Sequence, residues 1–160
     1  MLSVKKKMRF LIKNRKQIRI VIFIAYSFFI IYYTVLSRTA GVEHRADLRF
    51  MWAYREMLTG NPKWKVFVLQ NICNILFFVP FGLLFPKICI RIPAFKNRHW
   101  LTVLTSGMLF SIFIEVTQYI TCCGLCEIDD VLCNGLGSLI GYWLYLALLR
   151  VWAIMHCSID

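Results

Sequence analysis

Four long apolar runs, at residues 18–36, 66–85, 101–120 and 131–149, limit what this chain can become. Each is about 19 or 20 residues long, and a helix rising about 1.5 Å per residue needs about that many to cross a ~30 Å hydrocarbon layer. No water reaches backbone N–H and C=O groups inside a bilayer, so such runs must be helices. A hydrophobic fraction of 59% in 160 residues, with a mean hydropathy of +0.64, exceeds what one soluble core could hide. The sequence predicts an all-α fold: a polytopic membrane protein with four transmembrane helices.

The formal net charge of +11 does not point to nucleic acid, because the basic residues flank the apolar runs and act there as topology signals. Lys5 to Arg19 carries eight Lys or Arg and no acid, Lys87 to His99 four more, and Arg150 closes the last run. Thirteen of the 19 Lys and Arg thus fall on one side, and the positive-inside rule puts both termini in the cytoplasm. The first run begins like a signal peptide but is longer than a typical apolar region and lacks a small-x-small cleavage site, which predicts an uncleaved signal anchor. The expected organisation is a basic cytoplasmic segment at 1–17, a single transmembrane domain at 18–150 and a short cytoplasmic tail at 151–160. In the first outer loop, Phe50, Tyr54, Met57 and Leu58 share a helical face beside Trp52 and Trp64. That pattern suits a short interfacial helix ended by Asn61-Pro62. A packed surface helix and a ligand-gating segment both fit it.

Seven cysteines cannot all pair, and Cys73, Cys89, Cys133 and Cys157 lie in or beside apolar stretches, where Cys acts as a small hydrophobe. Cys123-Gly-Leu-Cys126, next to Cys122, forms a C-x-x-C without a second ligand pair or a thioredoxin-type setting. A disulfide there stays open if the turn faces an oxidising side. No metal and no cofactor are implied.

The polar residues within the apolar runs carry the most information. Asn71 and Asn74 lie on one side of the second run, which Pro80 and Gly82 then interrupt with an expected kink. Ser111, Glu115 and Gln118 recur at i, i+4 and i+7 in the third. Glu115 would cost on the order of 2.5 to 3.5 kcal/mol at the centre of a membrane helix, which makes it a candidate for function. A protonated or structurally paired Glu115 is the plainer reading. In the fourth run Asp130, Asn134, Gly137 and Gly141 share a face. Asp130 suits a helix cap, and Gly137 and Gly141 suit close helix packing. With alternating helix directions, Asn71, Asn74, Ser111, Glu115, Gln118, Asp129, Asp130 and Asn134 all fall in the outer half of the bundle. A polar recess there suits an amphipathic or lipid-linked ligand better than a transported ion, whose site usually lies at mid-membrane.

Three segments in this order, Asn71-Ile-Cys-Asn74 with Pro80-Phe-Gly82, then Ser111-Ile-Phe-Ile-Glu115-Val-Thr-Gln118, then Asp129-Asp130 through Gly141, resemble the VanZ-like family over about residues 37–149. The resemblance implies a multi-pass protein of the bacterial plasma membrane, common in Gram-positive bacteria and associated with low-level resistance to teicoplanin and related lipoglycopeptides. It implies as partners a membrane lipid, a lipoglycopeptide antibiotic or a lipid-linked envelope precursor. Many relatives carry an Arg shortly before the Asp-Asp pair. Thr121 to Cys126 has none here, and Arg38 or an arginine of the first outer loop could replace it. The expected protein is a non-enzymatic binder. The alternative is a membrane enzyme acting on a lipid-linked substrate, with Glu115 and Asp130 as acid and base or as metal ligands. The H-E-x-x-H, G-x-S-x-G and phosphate-loop patterns are missing from the sequence.

Overall fold

The computed structural model describes residues 2–89 and 99–157, with side chains at 17–88 and 99–156. Helix α1 (Leu2–Ile31) widens into a π-helical turn at Tyr32–Leu36. Then come strand β1 (Arg45–Asp47), α2 (Trp52–Leu58), α3 (Trp64–Leu84), α4 (Pro86–Cys89), α5 (His99–Ile120), strand β2 (Leu125–Glu127) and α6 (Ile128–Cys157). The basic side chains from Lys5 to Lys16, and Arg91, Lys96 and Arg98, lie outside the described ones.

The fold is all-α and polytopic. Four helical segments, Gln17–Leu36, Trp64–Ile88, His99–Ile120 and Ile128–His156, are long and apolar enough to cross a membrane. Only 11% to 33% of their apolar windows is buried within the protein, so most apolar side chains face outward, as lipid-facing helices require. The helices α1 and α5 end, and α3 and α6 begin, at the end of the bundle where β1 and β2 pair.

The fourth helix is longer than its apolar run. It starts at Ile128 rather than Val131, so Asp129 and Asp130 occupy its first turn, and it continues beyond Arg150 to Cys157. Neither Gly nor Pro interrupts Val151 to Cys157, and a lone Arg does not end a helix. The parallel pairing of β1 with β2, Arg45 opposite Leu125 and Asp47 opposite Glu127, has no alternating pattern to announce it. Helix α2 buries Ala53 and half-buries Tyr54, while Phe50 before it and Met57 and Leu58 within it are exposed, so most of the apolar stripe seen in the sequence faces away from the protein. Pro80 lies inside α3 and removes one N–H donor from its last turns. Nearby, Tyr26 Oη donates to the Phe77 carbonyl at 2.6 Å, the kind of side-chain support such a turn needs in a membrane.

In lipid, helix association depends on close packing more than on the hydrophobic effect. Here α3 and α6 meet backbone to backbone. A Cβ on Gly82 would stand 1.9 Å from the Ser138 carbonyl oxygen, on Gly137 2.1 Å from that of Ile75, and on Gly141 2.0 Å from that of Val79. Around this seam, Ile30, Val35, Phe78, Phe81 and Ile114 form one buried cluster, and Val103, Tyr142 and Tyr145 another. Helix α1 joins the first through Phe23, whose ring lies 5.5 Å from that of Phe81.

Gly141→Ala or Gly82→Ala forces two backbones apart and should lower thermal stability in detergent by about 1–3 kcal/mol, the usual cost of overpacking. Gly135→Ala should be nearly neutral, because its new methyl meets the flexible Met108 and Leu104 side chains. Equal losses at all three positions would mean that the α3–α6 seam is not the constraint.

Candidate functional site

The polar side chains of α3, α5 and α6 gather at the strand end. Glu115 is 4% exposed, Gln118 4%, Glu127 2%, Asp129 4%, Asp130 9%, Asn134 5% and Asn71 4%. Each of the first three helps close the chain around this end. Glu115 Oε2 accepts the Glu127 backbone N–H at 2.9 Å, which ties the end of α5 to the residue before α6. Glu127 Oε2 accepts from Gln70 Nε2 of α3 at 2.8 Å. Gln118 Nε2 donates to the Thr34 carbonyl at 3.0 Å, in the widened turn after α1.

Asp129, not Asp130, makes the backbone contact at the start of α6. Its Oδ1 accepts the N–H of Met51 at 2.7 Å. Met51 has φ +54°, a left-handed conformation rare for a side chain of its kind, and it precedes α2. Asp130 is not the helix cap, because α6 already begins at Ile128 and Asp130 lies within its first turn; its Oδ1 is buried without a hydrogen-bond partner. Deeper along α6, Asn134 Nδ2 donates to Ser111 Oγ at 2.7 Å and Ser138 Oγ to the Asn134 carbonyl at 3.0 Å.

Asn74, Glu115, Gln118, Asp130 and Asn134, with Thr34 and Arg38, line a cavity of about 20 Å³ whose remaining wall is Ile30, Phe77, Phe78 and Ile114. Ser111 stands one hydrogen bond behind it, whereas Asn71 and Asp129 do not line it. The space is smaller than the open recess read from the sequence, because the glycine seam leaves α3 and α6 no width between them. It admits one water-sized group. Arg38 lies beside the Gly124 backbone, 2.9 Å from where a Cβ would be. Gly124 in turn lines an open groove of about 410 Å³, together with Thr39, Glu43, Arg45, Cys122 and Cys123. Cys73, Cys122, Cys123, Cys126 and Cys133 are all free thiols. Cys122 Sγ lies 3.3 Å from His44 Nδ1, which itself donates to the Tyr119 carbonyl at 2.7 Å. Among the described residues no three His, Cys, Asp or Glu are grouped so as to hold a metal ion.

The sequence reading passed over Glu127 and Gln70 as site residues and named Arg38 only as one possible replacement cation. The signal for Glu127 was its place in the uncompensated acidic turn. Burial, and then the neighbouring charges of Asp130, Asp47 and Asp129, push its carboxyl up to about 7. At the surface Asp47 is held below the usual carboxylate range by Arg49, its partner at 2.5 Å in the one ion pair among the described residues.

The folded chain therefore binds the Glu127 proton more tightly than the unfolded chain does. That stabilisation is complete below the ordinary Glu value and is lost as pH rises through about 7. The melting temperature in detergent should fall between about pH 4.5 and 7 and level off above that. Glu127→Gln, which can still accept from Gln70, should flatten that slope and melt higher than native at the alkaline end. An unchanged slope would show that Glu127 carries no linked proton.

The profile of the VanZ/LLP1 family matches residues 20–150. Protein VanZ of Enterococcus faecium is 32% identical over 76 residues, an alignment covering 48% of this chain and 44% of that protein. The chain thus aligns with less than half the length of that curated relative. No solved structure matches it. Four helices of spanning length, the polar residues of α3, α5 and α6 at one end, and a profile match over most of the chain lead to one conclusion: this protein belongs to the VanZ/LLP1 family.

Proposed function

We propose that this protein lies in a bacterial plasma membrane with its strand end outside and both termini in the cytoplasm, and that it lowers susceptibility to teicoplanin-type lipoglycopeptides. The site is the strand-end cavity. It engages the polar head of an amphipathic or lipid-linked ligand whose bulk stays in the outer leaflet or the groove, limiting antibiotic access to the lipid-linked wall precursor. One observation carries this reading: Asn74 Nδ2, Asp130 Oδ1 and Asn134 Oδ1, on three lining residues, are buried without hydrogen-bond partners. Buried polar atoms are normally satisfied, at a cost of about 1–3 kcal/mol each when they are not. Glu115 serves chiefly to fix the start of α6, and Asp130 and Asn134 meet the ligand.

The enzymatic reading draws on Glu115 and Asp130 lining one cavity, as an acid and base pair would have to. Amide replacements separate the two, since Glu115→Gln and Asp130→Asn keep one acceptor oxygen but remove the charge and the ability to exchange a proton. At matched membrane levels, a binder should retain part of its teicoplanin protection and leave the envelope lipids unaltered. An enzyme should lose all protection and shift a lipid species. Native behaviour of both variants in both assays would reduce the cluster to packing.

Orientation is tested separately. With the native cysteines replaced, Leu58→Cys should react with a membrane-impermeant maleimide in intact cells, and Ser158→Cys only after permeabilisation. The reverse pattern would overturn the topology.

A further inference from the structure

Arg38 and the amides and carboxylates of α3, α5 and α6 line one cavity. Arg38 lines it together with Glu115 and Asp130, yet the only ion pair among the described residues is Asp47 with Arg49. Two kinds of unmet hydrogen-bonding group therefore share one small space. On the acceptor side are Asp130 Oδ1 and Asn134 Oδ1, the latter on a side chain whose Nδ2 is already committed to Ser111. On the donor side are Asn74 Nδ2 and the Arg38 guanidinium, which lines the cavity and can donate up to five N–H groups.

This mixture restricts the occupant. A cation would meet the guanidinium, and an anion would meet Glu115 and Asp130. A neutral group that both donates and accepts satisfies both sides, and a volume of about 20 Å³ admits one such group of water size. Ile30, Phe77, Phe78 and Ile114 form the rest of the wall, which suits the carbon bearing a hydroxyl better than a second polar atom.

We propose that the cavity is a hydroxyl-binding site that takes one hydroxyl of a neutral polyol headgroup, a glycerol or a sugar carried on a lipid. Arg38 and Asn74 donate to its oxygen, and Asp130 or Asn134 accepts its proton. The proposal deepens the ligand-binding reading above and rests on it. Water has the same hydrogen-bonding chemistry and fills the cavity when no lipid is engaged. Arg38 is the specificity-determining residue, because it is the one lining cation and its side chain is exposed enough to leave the fold intact when replaced.

The test uses the full chain, delipidated in detergent and exposed to phosphatidylcholine vesicles doped either with monoglucosyl diacylglycerol or with its per-O-methylated form, which keeps the oxygens but has no hydroxyl. Lipid retained on the protein is read by native mass spectrometry. The hydroxylated lipid should be retained at least about tenfold better, since sites built around a hydroxyl reject analogues lacking it. Arg38→Met should abolish the preference while thermal unfolding stays native-like. Asn134→Leu, which leaves Asp130 as the remaining acceptor, should lower the preference, and should that variant fail to fold, the Arg38 variant still decides. Equal retention of the two lipids would overturn the hydroxyl assignment and leave the lipid-binding reading standing. Retention of neither by native protein would mean a water-filled cavity and overturn the proposal, while the susceptibility of the Glu115 and Asp130 variants would still judge the wider function.

Discussion

Everything at the strand end depends on how closely α3 and α6 approach. Gly82, Gly137 and Gly141 remove the side chains that would hold the two backbones apart, and carbonyl oxygens fill the places where their Cβ atoms would be. In a bilayer this contact does not come from escaping water, since lipid tails are as apolar as leucine. It comes from the dispersion gained when smooth surfaces meet over many atoms. Once α6 lies along α3, Asn134 is carried to Ser111 on α5 and Asp130 to the cavity beside Asn74. The glycines thus determine the polar geometry without taking part in it.

A second constraint follows from burial. Glu115, Glu127, Asp129 and Asp130 are all at most 9% exposed, and none is in an ion pair with another described residue. Backbone and amide donors do part of the work that cations would do: Glu127 N–H for Glu115, Met51 N–H for Asp129, and Gln70 for Glu127. Asp129 and Asp130 also sit in the first turn of α6, where the helix dipole favours negative charge. These contacts join the loop between α1 and α3 to the turn before α6. The parallel pairing of β1 with β2 adds to that junction and gives its backbone groups partners. The acids are structural clamps on one side and leave unmet atoms on the other, and the cavity lies where the clamping stops.

Much of the architecture was legible because membrane solvation is a severe filter. A run of apolar residues of spanning length has few alternatives to a helix, so the four helices could be read directly, with errors only at ends such as Ile128 and Cys157. The polar faces were legible for a similar reason. Glu115 in an apolar run stands out, and helical spacing places Ser111 and Gln118 beside it. The β1–β2 pair could not be read, because Arg45-Ala-Asp47 and Leu125-Cys-Glu127 are three residues each and α2 to α5 lie between them in the chain. The role of Met51 was equally hidden, since its N–H donates to a carboxylate 78 residues away.

The sequence by itself determined that this chain is helical and membrane-spanning, because hydropathy and helical period are local properties that the bilayer enforces residue by residue. It also determined which faces are polar and where backbones can approach. Only the tertiary structure decided that the polar faces enclose a space no larger than a hydroxyl, that Arg38 stands at its edge, and that Asp129 rather than Asp130 holds α2. Those outcomes depend on distances between elements far apart in the chain, and such distances follow from packing all the helices at once.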